Sequence, residues 1–205
     1  GPDGLLDHEL VEYILALVTP RRDTKPLAKK LLHEFGGIAG LLTADAEMLA
    51  RCGGLGETSV AALKFVHVSA LRLLRDKVKE QPILSSWQAL LDYLRADMAH
   101  LTTERVRILH LNTRNMLIRD EVMAEGSIDQ AAVQVREVIR RALDLGSAAI
   151  ILVHNHPSGD PQPSRADIAL TRDIVDAGKK LNIQVHDHVI VGLNGHSSFR
   201  SMGLL

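Results

Sequence analysis

The apolar run "AAIILV" ends in His154-Asn155-His156, and a loop with three prolines leads from there to Ser164 and Asp167. Side chains of an extended strand alternate faces, so His154 and His156 point the same way, about 7 Å apart along the backbone. That spacing suits chelation of one metal ion. Imidazole nitrogens fit Zn²⁺, which binds them at about 2.0–2.1 Å. Asp167, just inside the helix that begins at Ser164, is the natural third ligand. A fourth position is then left for water, the mark of a catalytic site. Each piece also has a plainer reading. H-x-H pairs are common, Ser164-Arg-Ala-Asp167 is a helix capping box with Asp in place of Glu, and Asp160 between Gly159 and Pro161 is a turn former. Their density in one short stretch favours the metal.

The elements that must position these residues follow from pattern. "AAIILV" is a strand buried on both faces. "SRADIALTRDIVDAGKKLN" is a helix and "IQVHDHVIVG" one strand or two. Upstream, "RVRILHLN" and "MLIRDEVMAEG" are β-rich segments joined by the turn-like "NTRN", which predicts a hairpin. "VQVREVIRRALDLG" is a helix closed by Gly146, with Arg140 and Arg141 near its C-terminal end. "WQALLDYLRADMAHL" is another helix. Strands and helices therefore mix over residues 87–205, an α/β sandwich. Residues 79–86 are polar, hold Pro82 and read as a linker. Residues 1–78 show helical periodicity only, in "LLDHELVEYILAL", "KPLAKKLLHEFGG" and "GETSVAALKFVHVSALRLL".

The totals bound the function. The chain has 205 residues, a net charge of -1 and 24% charged residues, so no overall field favours nucleic acid or membrane. No apolar run approaches the roughly 20 residues that cross a bilayer, and no signal-peptide pattern is seen. The one cysteine, Cys52, excludes an internal disulfide framework and a multi-cysteine metal site. A cytoplasmic setting is expected. Gly1-Pro2 resembles the remnant of protease cleavage, so the native start is expected upstream. Nucleobase deamination, a rival zinc chemistry, needs H-x-E and P-C-x-x-C, and Cys52 cannot supply them. H-E-x-x-H is absent as well.

The string "HNHPSGDPQPSRAD" resembles the H-x-H-P-x-G-x-x-x-P-S-x-x-D motif of the JAMM/MPN metalloproteases. Together with "LNTRN", "REVIRRAL", "AAIILVHNHPSGDP", "HDHVIVG", "LLHEFGGIAGLLTAD" and "ARCGGLG", the chain is similar throughout to the bacterial RadC family. The resemblance implies a JAMM/MPN-like (cytidine-deaminase-like) α/β/α domain holding one zinc ion. His154, His156 and Asp167 would be its ligands. Ser164 would stabilise the oxyanion, and an upstream glutamate would serve as base. Glu104, in "LTTERVRILHLN", matches that glutamate, with Glu121 and Glu125 as competitors. His188, in the family's "DH" pair, would lie near the site or be structural, with a carboxylate orienting a histidine.

"LARCGGLGETSVAALK" resembles a helix-hairpin-helix, a module that usually holds DNA without reading sequence. Gly54 and Gly56 would let backbone N–H groups approach a phosphate, with Lys64 the first base beyond the turn. Residues 1–80 carry 11 Lys plus Arg against 11 Asp plus Glu, with a local cluster at Arg21, Arg22, Lys25, Lys29 and Lys30. Weak nonspecific DNA contact and a protein-interaction role both stay open. The leading expectation is a zinc metallopeptidase-type hydrolase acting on an amide or isopeptide bond of a peptide or protein. The alternatives are a DNA-associated protein and a binding protein with a structural metal.

Overall fold

The computed structural model describes residues 4–126 and 133–205. The chain forms two compact units, residues 1–73 and 74–205. Gly1 and Pro2 lie outside the described residues.

The first unit is built from helices α1 (Asp7–Val18), α2 (Lys25–Glu34), α3 (Ile38–Thr43), α4 (Ala46–Arg51) and the first part of α5 (Glu57–Glu80). Leu15, Leu31, Leu41, Leu49 and Leu63, one from each helix, are fully buried together. Tight glycine turns make this possible: Gly36, Gly37 and Gly54 all have positive φ.

The division falls inside α5, because Leu74 and Val78 pack with the second unit. The segment read as a linker, 79–86, holds the end of α5 and a 3₁₀ turn, Ile83–Ser85. Ile83 is fully buried in the second unit's core.

In the second unit α6 (Trp87–Met98) precedes the hairpin β1 (Glu104–Leu111) and β2 (Leu117–Gly126). Next come α7 (Val135–Asp144), β3 (Ala149–Asn155), α8 (Arg165–Lys180), β4 (Gln184–Gly192) and β5 (Gly195–Ser198). The sheet order is β2-β1-β3-β4-β5. β3 and β4 run parallel, joined by α8, and the other neighbours are antiparallel. Leu109, Leu111, Ile151 and Val153 pack with α6 on one face. Ile108, Ile150 and Leu152 pack with Val138 and Ala142 of α7 and Ile174 of α8 on the other. The architecture is the expected mixed α/β sandwich, and every residue of β3 is buried.

Under α6, Arg107 is held by Asp97 and lies with its Nε 3.0 Å from Asp120 Oδ1. Tyr93 donates to Asp120 Oδ2 at 2.7 Å. The Asp120 side chain has no exposed surface, so this network is what allows a charge there.

Candidate metal centre

His154, next to last in the buried strand β3, lies on the face covered by α7 and α8, since it alternates with Ile150 and Leu152. His156 follows two residues on, and Asp167 enters from the first turn of α8. One ligand atom from each lies within 4.8 Å of the others. The Nε2 atoms of the two histidines are 2.9 Å apart. Asp167 Oδ1 is 3.4 Å from His154 Nε2, and Oδ2 is 3.6 Å from His156 Nε2. His154 is buried and the other two are half-buried, so the group opens outward.

The donor chemistry fits a cation. His156 Nδ1 lies 2.9 Å from the carbonyl of Asp160. A carbonyl only accepts, so Nδ1 carries the hydrogen and a neutral His156 leaves Nε2 as a lone pair. Burial pushes the pKa of His154 down to about 4, so that ring is neutral too. Two imidazole lone pairs and a carboxylate thus converge on one point, and only a proton or a metal ion relieves that arrangement. The set matches zinc's preference for nitrogen with a carboxylate. Burial alone would raise the pKa of Asp167. His156, His154 and the Ser164 backbone N–H outweigh it and hold the carboxyl below its usual range. The same Asp167 carboxylate raises the pKa of His156 against burial.

The capping box is present as well. Ser164 Oγ accepts from the Asp167 N–H at 3.1 Å, and Asp167 Oδ2 accepts from the Ser164 N–H at 2.7 Å. The two readings of Ser164-x-x-Asp167 therefore coincide, because capping fixes the carboxylate where the histidines meet it.

Glu104 opens β1. Val106 pairs with His154, so Glu104, two residues earlier, comes beside His156. It lines one cavity of about 320 Å³ together with His156, Pro157, Ser158, Ser164 and Asp167. Burial first, and then the Asp167 charge, raise its pKa, while His156 lowers it. Its competitors are committed elsewhere: Glu121 receives two bonds from Arg141, and Glu125 one from Arg105. Neither lines this cavity.

Two supports stand behind these residues, the first unseen in the sequence and the second left there between a place near the site and a structural role. Asn155, between the histidines and facing the opposite way, is 1% exposed. Its Oδ1 accepts from the Arg105 N–H at 2.8 Å, and its Nδ2 donates to the Thr103 carbonyl at 3.0 Å. Both peptides flank Glu104. The second support is His188, whose Nε2 meets His154 Nδ1 at 2.8 Å. Asp187 does not orient that ring; its Oδ1 accepts from the backbone N–H groups of His188 and Arg200, and its Oδ2 from Ser198. His186 pairs with Asn115 of the β1–β2 turn.

In the first unit, Gly54 has φ +106 and a Cβ there would sit 3.0 Å from Leu27 Cδ1, whereas Gly56 meets nothing within 4 Å. Lys64 donates to the carbonyls of Leu42 and Ala44 at 3.1 and 2.8 Å, so it closes the end of α3. Burial lowers its pKa.

Residues 84–204 match the family model described as a RadC-like JAB domain. The chain is also 49% identical, over all of its length and 96% of the relative's, to a UPF0758 protein of Rhodobacter capsulatus. This chain belongs to the RadC-like JAB family. The matched RadC-like region contains every residue of the candidate centre, and no helix among the described residues is long and apolar enough to cross a membrane.

Proposed function

We propose that the RadC-like domain is a zinc-dependent hydrolase that cleaves an amide or isopeptide bond. The observation that carries this reading is Glu104 on the wall of the same cavity as His156, Ser164 and Asp167. A structural metal needs no such base. When bound by His154, His156 and Asp167, a zinc ion supplies a Lewis acid and can bring the pKa of a coordinated water to about 7. Glu104 takes the proton of the attacking water and returns it to the leaving amine. Ser164 Oγ uses a lone pair on the Asp167 N–H, which leaves its own proton to donate to the developing oxyanion.

Metal analysis of the purified protein and its His154→Ala variant, with parallel assays on peptide, isopeptide and DNA substrates, tests the reading. The expectation is one zinc per chain, lost in the variant, with amide cleavage by the wild type alone. Equal zinc in both proteins removes His154 from the site. Zinc-dependent cleavage of DNA without amide cleavage replaces the substrate class.

A second reading concerns the first unit, as a weak, nonspecific DNA contact. Lys30 Nζ lies 4.0 Å from where a Cβ of Gly53 would be, which sets a cation beside the turn that Gly54 and Gly56 form. Lys64 takes no part, being bound to carbonyls. Binding that falls steeply with salt is the expected signature.

A further inference from the structure

Behind His154 runs a chain of hydrogen bonds that none of the site chemistry above requires. His154 Nδ1 meets His188 Nε2 at 2.8 Å, and His188 Nδ1 meets Thr171 Oγ1 at 2.6 Å. Thr171 Oγ1 in turn donates to the Asp167 carbonyl at 2.6 Å. His154 is 2% exposed, and His188 and Thr171 are each 1% exposed. They come from three elements, β3, β4 and α8.

The proton positions follow from one end. The Asp167 carbonyl can only accept, so the Thr171 hydroxyl spends its single proton there. Thr171 Oγ1 must then accept from His188, which places a hydrogen on His188 Nδ1. With that hydrogen on Nδ1, the neutral imidazole of His188 presents the lone pair of its Nε2 to His154. His154 Nδ1 is therefore the donor, and His154 Nε2 carries no hydrogen. That bare nitrogen is the atom facing His156 and Asp167. The chain also closes on itself: it starts at the backbone of Asp167 and ends at the imidazole that Asp167's own carboxylate approaches.

We propose that Thr171 and His188 are positioning residues that fix the tautomer and ring orientation of His154, so that its Nε2 is ready to bind metal before any ion arrives. The inference deepens the zinc reading and rests on it only for its effect on affinity. A ligand histidine free to choose its tautomer spends part of its time with Nε2 protonated and closed to metal. An oriented ring loses nothing to that equilibrium, and supports of this kind are typically worth 10–100-fold in metal affinity.

Two measurements test it. The first uses the zinc-free wild type at neutral pH, with histidine ¹⁵N chemical shifts and long-range couplings assigning each ring. The expected result is hydrogen on Nδ1 of both His154 and His188. Hydrogen on Nε2 of His154 overturns the proposal, whether or not the protein binds zinc. The second is zinc affinity by competition with a chromophoric chelator. Thr171→Val keeps the volume and removes the hydroxyl, so it should weaken zinc roughly 10–100-fold. Thr171→Ser should restore wild-type affinity, which a packing role would not do. Wild-type affinity in Thr171→Val overturns the proposal. A wild type that binds no zinc but shows the expected tautomers overturns the zinc reading and leaves the relay standing.

Discussion

The carboxamide of Asn155 spans from β3 to the start of β1, and there it holds the Arg105 N–H at 2.8 Å and the Thr103 carbonyl at 3.0 Å. Glu104 lies between those two peptides. The residue that separates the two candidate ligand histidines thus also fixes the backbone of the proposed base. Replacing Asn155 by Ala should leave zinc content unchanged and lower kcat more than it raises KM, because misplacement affects the proton transfer. Stability should fall by about 1–3 kcal/mol, the cost of a buried group left unpaired. Zinc analysis and steady-state kinetics on a verified substrate decide it. Zinc loss in the variant would mean that Asn155 serves the ligand strand instead.

Glu104→Gln should keep zinc and fold while hydrolysis drops by about 10²–10⁴-fold, the usual worth of general acid–base catalysis. Glu121→Gln and Glu125→Gln should remain active, since Glu121 is engaged by Arg141 and Glu125 by Arg105. Asp167→Asn should weaken the metal itself. An inactive Glu121→Gln beside an active Glu104→Gln would move the base to β2.

Removing Arg107 strands the carboxylate of Asp120, whose side chain has no exposed surface. Arg107→Met should destabilise the second unit by about 3–5 kcal/mol. Tyr93→Phe should cost about 1 kcal/mol through its lost bond to Asp120. The single tryptophan, Trp87, packs against the second unit's core, so its fluorescence in a urea titration follows that unit.

His110 gives the fold a pH dependence. It is fully buried against Ser147. Burial above all, opposed by Glu121 and aided by Arg141 and Arg119, lowers its pKa from 6.5 to about 4. The unfolded chain then binds the extra proton first. Stability is complete above about pH 6.5 and is lost as pH falls toward 4, by up to about 3 kcal/mol from this group. A non-titrating His110→Gln variant should show a shallower decline over that window in urea titrations. Parallel declines in the two proteins would assign the effect to other groups.

In the first unit, Gly54→Ala should destabilise, because φ +106 strains any L side chain and the Cβ would crowd Leu27 Cδ1 at 3.0 Å, whereas Gly56→Ala should fold normally. Gly56→Ala therefore separates fold from contact. If the turn approaches phosphates, this variant should lose DNA binding at low salt with its melting temperature unchanged. Undiminished binding would place the contact elsewhere.

The convergence of His154, His156 and Asp167 was legible in the sequence because they are close in the chain and each element imposes its own spacing. The strand aligns His154 with His156, and the capping box fixes Asp167. Glu104 was not legible that way. It sits far upstream, and only the β1–β3 register brings it to the site; the family resemblance alone pointed to it. Asn155 stayed hidden because its partners, Thr103 and Arg105, are far upstream, and for His188 the sequence left open whether it serves the site or only the fold. Strand β5 was missed, although Asn194-Gly195 after a β-rich run is a hairpin signal. The polar look of 79–86 concealed Ile83, which the core takes up. Lys64 looked like a free cation because sequence does not show which carbonyls a lysine will meet.

One consequence follows from the alternation His154-Asn155-His156. A strand has period two, so a slip of one residue exchanges its faces. In a slipped β3, both imidazoles would turn toward α6 and the carboxamide would turn toward α8. The ligand pair and the Glu104 clamp would vanish together, while the aliphatic stretch Ile150–Val153 would still offer a greasy side to either layer. Hydrophobic burial alone discriminates weakly between those pairings. The polar tripeptide would then mark the correct register, and under the zinc reading retained zinc would report correctly threaded chains.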